Sequence, residues 1–210
     1  MSEYHKIETI FERDMMGTKK LIIGQYRNPY VHYLKDNQWI FTEKIDGTNI
    51  RVMWDGHTVK FGGRTNNAQL PSQLVQKLVD MFSGTTNEQL FEQHFGEKEV
   101  VFYGEGFGGK IQSGHAYSQE QSFILFDIKV GSKFITREHV EAIAKSFNIL
   151  VVPICLIGTI KEAVDYVITR PNSLIAEQTK ESEGVVGRPL FELTDDRGNR
   201  IIVKIKVCDY

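Results

Sequence analysis

The stretch WIFTEKIDGTNIRVMWDGHTVKF, residues 39–61, holds two Asp-Gly pairs between three runs of strand-forming residues. Trp39–Ile45, Asn49–Trp54 and Thr58–Phe61 are β-branched and aromatic segments of strand length, and Asp-Gly is a dipeptide that tight hairpin turns favour. The three segments predict an antiparallel meander. Outward from it, Pro71 opens a segment with Leu74, Val75, Leu78, Val79 and Phe82 at helical spacing, and Asn87–Phe95 repeats the pattern more briefly. Val100–Tyr103 and Phe123–Val130 read as strands, and Thr136 as the cap of a helix carrying Val140, Ile143 and Phe147. Ile149–Ile154 reads as a strand, Ile160–Thr169 as a helix, and Gly184–Val186 and Ile201–Val207 as closing strands. Hairpins interspersed with helices predict an α+β fold of antiparallel sheets flanked by helices.

The 210 residues are 41% apolar and 25% charged, the composition of a globular protein, with a net charge of -2. Such a surface lacks the basic excess of a passive nucleic-acid coat, so any polyanion site is local. Cys155 and Cys208 stand alone with no CxxC pair, which argues against zinc or redox chemistry and fits a reducing cytoplasm. Neither an export signal nor an apolar run near the ~20 residues of a membrane helix is present in the sequence. The expected location is cytoplasmic, the host cytoplasm if the chain is viral.

Residues 104–110, GEGFGGK, match both a dinucleotide fingerprint and the opening of a P-loop. Neither fits. A P-loop needs Ser or Thr after its lysine, where this chain has Ile111, and Glu105 would set a carboxylate inside a phosphate cradle. A plain loop is the simpler reading of these glycines.

Lys44 and Asp46 are two apart, on one face of a strand just before a turn. A lysine becomes a nucleophile only when positive charge or desolvation favours its neutral form. Lys204 and Lys206 supply such charge, since alternation puts both ammonium groups on one face while Val203, Ile205 and Val207 face the core. Two adjacent lysines repel unless an anion lies between them, and a nucleotide phosphate is such an anion. Taken alone, the pair reads more readily as the solvated face of an edge strand.

Lys44-Ile-Asp-Gly-Thr-Asn49 resembles the KxDGxN signature of the covalent nucleotidyltransferase superfamily in its RNA ligase form. Gly63-Arg64-Thr65 is similar to motif Ia, Gly104-Glu105 to motif III and Phe126-Asp127 to motif IIIa. Glu183-Gly-Val-Val186 is similar to motif IV, Lys204-Ile-Lys206 to motif V, and Phe107–Gln112 to small phage RNA ligases. The six ordered elements run from Lys44 to Lys206. The resemblance implies an ATP-grasp-like nucleotidyltransferase core, and the few residues after motif V imply a single adenylyltransferase domain over 1–210 without an OB-fold. It also implies an ATP-dependent ligase that joins an RNA 5′-phosphate to a 3′-hydroxyl through AMP carried on Lys44.

By the same resemblance Lys204 and Lys206 grip the α-phosphate, and Glu183 and Asp46 hold Mg2+ or Mn2+. Phe126 stacks on adenine, Glu105 hydrogen-bonds the ribose, and Arg64 contacts ribose or a phosphate. Glu43, Ile45 and Asn49 of the signature belong with the nucleotide contacts. Asn49 stands where capping enzymes and most DNA ligases have arginine. The partners are RNA ends, a nicked duplex among them, and a monomer with no membrane association is expected. A DNA nick ligase and a non-catalytic nucleotide- or RNA-binding module are the alternatives. Lys19–Tyr33, with Lys19, Lys20, Arg27 and several tyrosines, reads either as an RNA-contact flap or as ordinary packing.

Overall fold

A computed structural model describes residues 2–210. The chain packs as two compact units, one built on Asp46–Val152 with the N-terminal segment through His5 and Ala176–Gln178, the other on Lys6–Ile45, Pro153–Ile175 and Thr179–Tyr210.

The first unit is a mixed sheet in the order Leu150–Val151, Ser122–Val130, Val100–Phe107, Thr48–Trp54 and Val59–Gly62, with Lys133–Phe134 paired to the second of these. All its pairings are antiparallel except that of Leu150–Val151. Helices Ser72–Phe82, Thr85–Phe95 and Arg137–Ser146 carry the expected periodicity and bury Leu74, Leu78, Phe82, Phe91, Val140 and Ala144. Their core is aromatic: Phe82 meets Phe123 edge-on at 5.4 Å, and Phe91 stacks on Trp54 at the same separation.

The second unit has the sheet order Glu8–Thr9, Val203–Lys206, Gly184–Pro189, Trp39–Glu43 and Ile154–Gly158. Trp39, Phe41, Val185, Val203 and Ile205 form its core with Ile160, Ala163 and Val167 of the helix Ile160–Ile168. That helix begins at a complete capping box, Thr159 with Glu162. A small hairpin, Phe11–Arg13 with Leu21–Tyr26, and the short helix Pro29–Tyr33 complete the unit.

The α+β class holds, but the meander does not. Trp39–Glu43 pairs with Gly184–Pro189 and Ile154–Gly158, whereas Thr48–Trp54 pairs with Val59–Gly62 and Val100–Phe107. Asp46-Gly47 therefore links two sheets instead of closing a hairpin. Gly47 serves close approach, since a Cβ there would lie 2.3 Å from the Gly106 carbonyl oxygen. The expected strand Ile149–Ile154 divides into two, in different sheets, around Pro153, which has no N–H to continue a ladder. The expected loop at Gly104 is also strand, because Val100–Phe107 runs straight through the first two glycines. Thr136 occupies the N-cap position, but its hydroxyl meets His139 Nδ1 at 2.7 Å instead of capping the backbone.

Gly104 is a glycine of packing: a Cβ there would sit 2.3 Å from two Phe123 ring carbons and 2.4 Å from the Ile124 carbonyl oxygen. Gly104→Ala should therefore cost about 1–3 kcal/mol through overpacking, read as a lower urea midpoint at unchanged slope.

Candidate active site

In the second unit, strand order fixes a row of charged groups. The Lys44 N–H donates to the Gly184 carbonyl at 2.9 Å, Gly184 pairs with Lys206, and the Val207 N–H donates to the Glu183 carbonyl at 3.0 Å. The Glu183 side chain lies between the two lysines, Oε2 accepting from Lys44 Nζ at 2.5 Å and Oε1 from Lys206 Nζ at 2.9 Å. Lys204 stands opposite Val186, two residues before Lys206, with Val203 and Ile205 turned into the core. Gly184 permits this closeness: at φ +142 its Cβ would lie 2.0 Å from the Ile205 carbonyl oxygen.

Two ammonium groups thus share one carboxylate, and the third, Lys204, feels the charge of both. Burial first, and then the charges of Lys44 and Lys206, hold the Lys204 pKa below the ordinary lysine value, with Glu8 opposing. The hydrogen bond to Glu183 holds Lys206 above it. The cluster has positive charge in surplus, which a phosphate would neutralise.

Glu43 and Ile45, grouped with the nucleotide contacts by resemblance, are 2% and 4% exposed. The Glu43 carboxylate accepts the Leu174 N–H at 2.8 Å, and burial raises its pKa against the opposing pull of Ser173, that N–H and Lys180. Lys44 and Glu43 are successive residues with different tasks, one in the charged row and the other anchoring the segment at Leu174.

In the first unit, Asn49 and Glu105 are direct cross-strand partners, so their side chains share a face. Asn49 Oδ1 is buried without a hydrogen-bond partner, an acceptor suited to a hydroxyl donor such as a ribose. On the neighbouring strand the register slips: Tyr103 pairs with Asp127 but Gly104 with Leu125, which leaves Phe126 as the extra residue of a bulge. Leu125 and Asp127 are fully buried on either side while the Phe126 ring is partly exposed. Tyr4 braces the bulge, its ring edge-on to Phe126 at 5.0 Å and its hydroxyl donating to Asp127 Oδ2 at 2.8 Å.

Asp46 is held at both ends. Its carboxylate accepts the Ser113 hydroxyl at 2.7 Å, and its N–H donates to the Tyr117 hydroxyl oxygen at 3.1 Å. Arg64 is exposed on the turn after Val59–Gly62. Beneath it the Arg51 guanidinium, 1% exposed, donates to the Gly63 carbonyl at 2.8 Å and to Asn66 Oδ1 at 3.0 Å. Tyr4, Arg51, Ser113 and Tyr117 escaped the sequence reading. Arg51 had a signal, a charge within the apolar run Ile50–Trp54, whereas a lone N-terminal tyrosine and a loop serine had none.

Among the described residues, no three or more His, Cys, Asp or Glu side chains gather as a metal cage. No helix there is long and apolar enough to cross a membrane.

Because the Lys204 pKa is depressed in the folded chain, its charged form is penalised there at neutral pH, and this penalty fades only as the pH rises toward the unfolded value. Lys204→Met should therefore raise the melting temperature at pH 7, with the gain shrinking at high pH, while reducing the stabilisation that added ATP gives. Tyr4→Phe keeps the ring against Phe126 and removes the bond to Asp127; it should cost about 1–3 kcal/mol in urea unfolding, and Tyr4→Ala more.

The chain was compared with known proteins. The RNA ligase family model matches residues 37–206. Among solved structures, the backbone is similar to an apo mutant of the Naegleria gruberi RNA ligase, with TM-score 0.68 and 17% identity over 99% of this chain and 56% of that one. A mutant of the same ligase with ATP and Mn gives TM-score 0.64 and 17% identity over 85% and 51%. A third, with AMP and Mn, gives 0.65 and 17% over 95% and 60%. This chain thus spans about half to three-fifths of that ligase. No curated protein matches. At such identity the structural likeness shows a shared nucleotidyltransferase-type fold, while the family match, over most of the length and across both lysine motifs, shows that the chain belongs to the RNA ligase family.

Proposed function

We propose that the chain is an ATP-dependent RNA ligase that works through a lysyl-AMP intermediate. The observation that carries this reading is that Lys44 and Lys206 both pair with the single carboxylate of Glu183 while Lys204 stands on the same strand face within reach of their charges, a charge surplus suited to phosphate. Family membership and the ATP and AMP complexes of the Naegleria ligase support it.

In the proposed reaction the Lys44 amine, relieved of its proton, forms a bond to the α-phosphorus of ATP as the bond to pyrophosphate breaks. Lys204 and Lys206 neutralise the charge that builds on the phosphate oxygens. An oxygen of an RNA 5′-phosphate then takes the adenylyl group and returns the amine. Finally the 3′-hydroxyl oxygen attacks the activated 5′-phosphorus, loses its proton and displaces AMP. Glu105 and Asn49 receive the ribose, Phe126 stacks on the base, and Arg64 reaches a phosphate or the ribose.

By the family resemblance, the carboxylates of Asp46 and Glu183 would each suit a hard ion that arrives on phosphate oxygens and keeps most of its water. Mg2+ or Mn2+ held there would supply charge neutralisation and orientation of the phosphates. RNA ends are the partners in this reading, and a nicked duplex is the form that presents both ends together.

Incubation with ATP labelled at the α-phosphate and Mg2+, followed by denaturation, should leave label on the wild type and none on Lys44→Ala. Label retained by Lys44→Ala would remove the lysine assignment, and no label on wild type with either metal would leave a binding module. Matched nicks with ribose or deoxyribose at the 3′ end should be sealed unequally, ribose faster, since a protein can read the 2′-hydroxyl.

A further inference from the structure

The hairpin of Phe11–Arg13 and Leu21–Tyr26 is closed by residues 14–20, and its turn is tightly braced. The Asp14 carboxylate accepts the N–H groups of Gly17 and Thr18, each at 2.8 Å, and the Thr18 hydroxyl at 3.2 Å. Backbone bonds of 2.9 Å join Lys19 N–H to the Asp14 carbonyl and Asp14 N–H to the Lys20 carbonyl. Arg13 donates to the Lys19 carbonyl at 2.7 Å and pairs with Asp209 at 2.6 Å, which ties the turn to the chain's last residues.

This bracing consumes the turn's carboxylate and its arginine but neither lysine. Lys19 and Lys20 are exposed and make no ion pair among the described residues. Lys19 also holds φ +58, a left-handed conformation that glycine or asparagine adopts more readily, so the turn keeps a lysine where backbone economy favours another residue. Beside the two ammonium groups stand apolar side chains with no cover: Met16 is 100% exposed, Met15 70%, Ile23 63% and Ile22 41%. By contrast, Tyr26 packs against Phe11 and His32, and Arg27 pairs with Glu8 at 3.2 Å. Tyr26 and Arg27 of the same segment are thus occupied.

We propose that this hairpin is an RNA-docking finger, with Lys19 and Lys20 on backbone phosphates and Met15 and Met16 against a base face or base step next to the end being joined. Adjacent cations without a counter-ion suit a polyanion and repel a second copy of the same edge. Methionine is a side chain that proteins wedge against base steps, and a braced turn loses little freedom on docking. The proposal rests on the RNA ligase reading for the choice of RNA over other polyanions, and its test is a binding measurement that needs no ligation.

The full chain is titrated with a fluorescent nicked RNA duplex across a range of salt. Lys19→Gln/Lys20→Gln should weaken binding and lower the slope of log K against log salt by about two, one for each phosphate contact. Met15→Ser/Met16→Ser should weaken binding about tenfold with the slope unchanged, as loss of an uncharged base contact requires. Lys98→Glu/Lys145→Glu, exposed lysines elsewhere, should leave the affinity within about twofold, and every variant should retain wild-type AMP labelling and melting temperature. Unchanged affinity and slope in both hairpin variants, an equal loss in the control, or no RNA binding by wild type would overturn the finger. So would a change in oligomeric state without a change in RNA affinity, which would make the hairpin a protein contact. If wild type carries no AMP yet binds RNA through the hairpin, the ligase reading falls and the finger stands.

Discussion

Like charges on neighbouring strands are the constraint around which the second unit is organised. Lys44 and Lys206 are brought to one carboxylate by backbone pairing through Gly184, and Lys204 joins them from the same strand face. A sheet interior is a poor place to gather cations, and three features make it possible here. Glu183 bridges two of them, Gly184 lets the backbones close on each other, and the alternate residues Val203, Ile205 and Val207 bury enough apolar surface to hold the strand in register. The cluster is a standing electrostatic cost offset by packing on the opposite face, the usual relation between a site and its scaffold.

The first unit solves a different problem, that of aiming neutral and acidic groups precisely. Each candidate here has a polar partner: the buried Arg51 holds the turn of the exposed Arg64, the buried Tyr117 and the exposed Ser113 hold Asp46, and the half-buried Tyr4 holds the strand of Phe126. Such partners narrow the positions these side chains can take, because a hydrogen bond to a neighbour removes rotamers that solvent would leave open.

Much of this was legible in the residues. Helical spacing located Ser72–Phe82, Thr85–Phe95, Arg137–Ser146 and Ile160–Ile168 to within a few positions, and alternation alone put Lys204 and Lys206 on one face. What failed was pairing. The Asp-Gly dipeptides look alike at 46–47 and 55–56, yet only the second closes a hairpin, because the partners of Trp39–Glu43 lie more than a hundred residues away. Local pattern reports the period of a strand and is silent on its neighbour. The hairpin at 11–26 was unread for a related reason: its short strands and exposed Ile22 and Ile23 carry no inward-outward alternation. Tyr4 and Ser113 depend on third-dimensional partners that no local window contains.

The bulge at residue 126 separates two inheritances that a regular strand would bind together. Leu125 and Asp127 keep their places in the interior whatever stands between them, because the ladder skips the intervening position. Residue 126 is supernumerary to the sheet. Its side chain can therefore change with an adjustment at Tyr4 while Leu125 and Asp127 keep their places. Under the proposed stacking of Phe126 on the base, a change of base preference in a descendant of this chain can begin there.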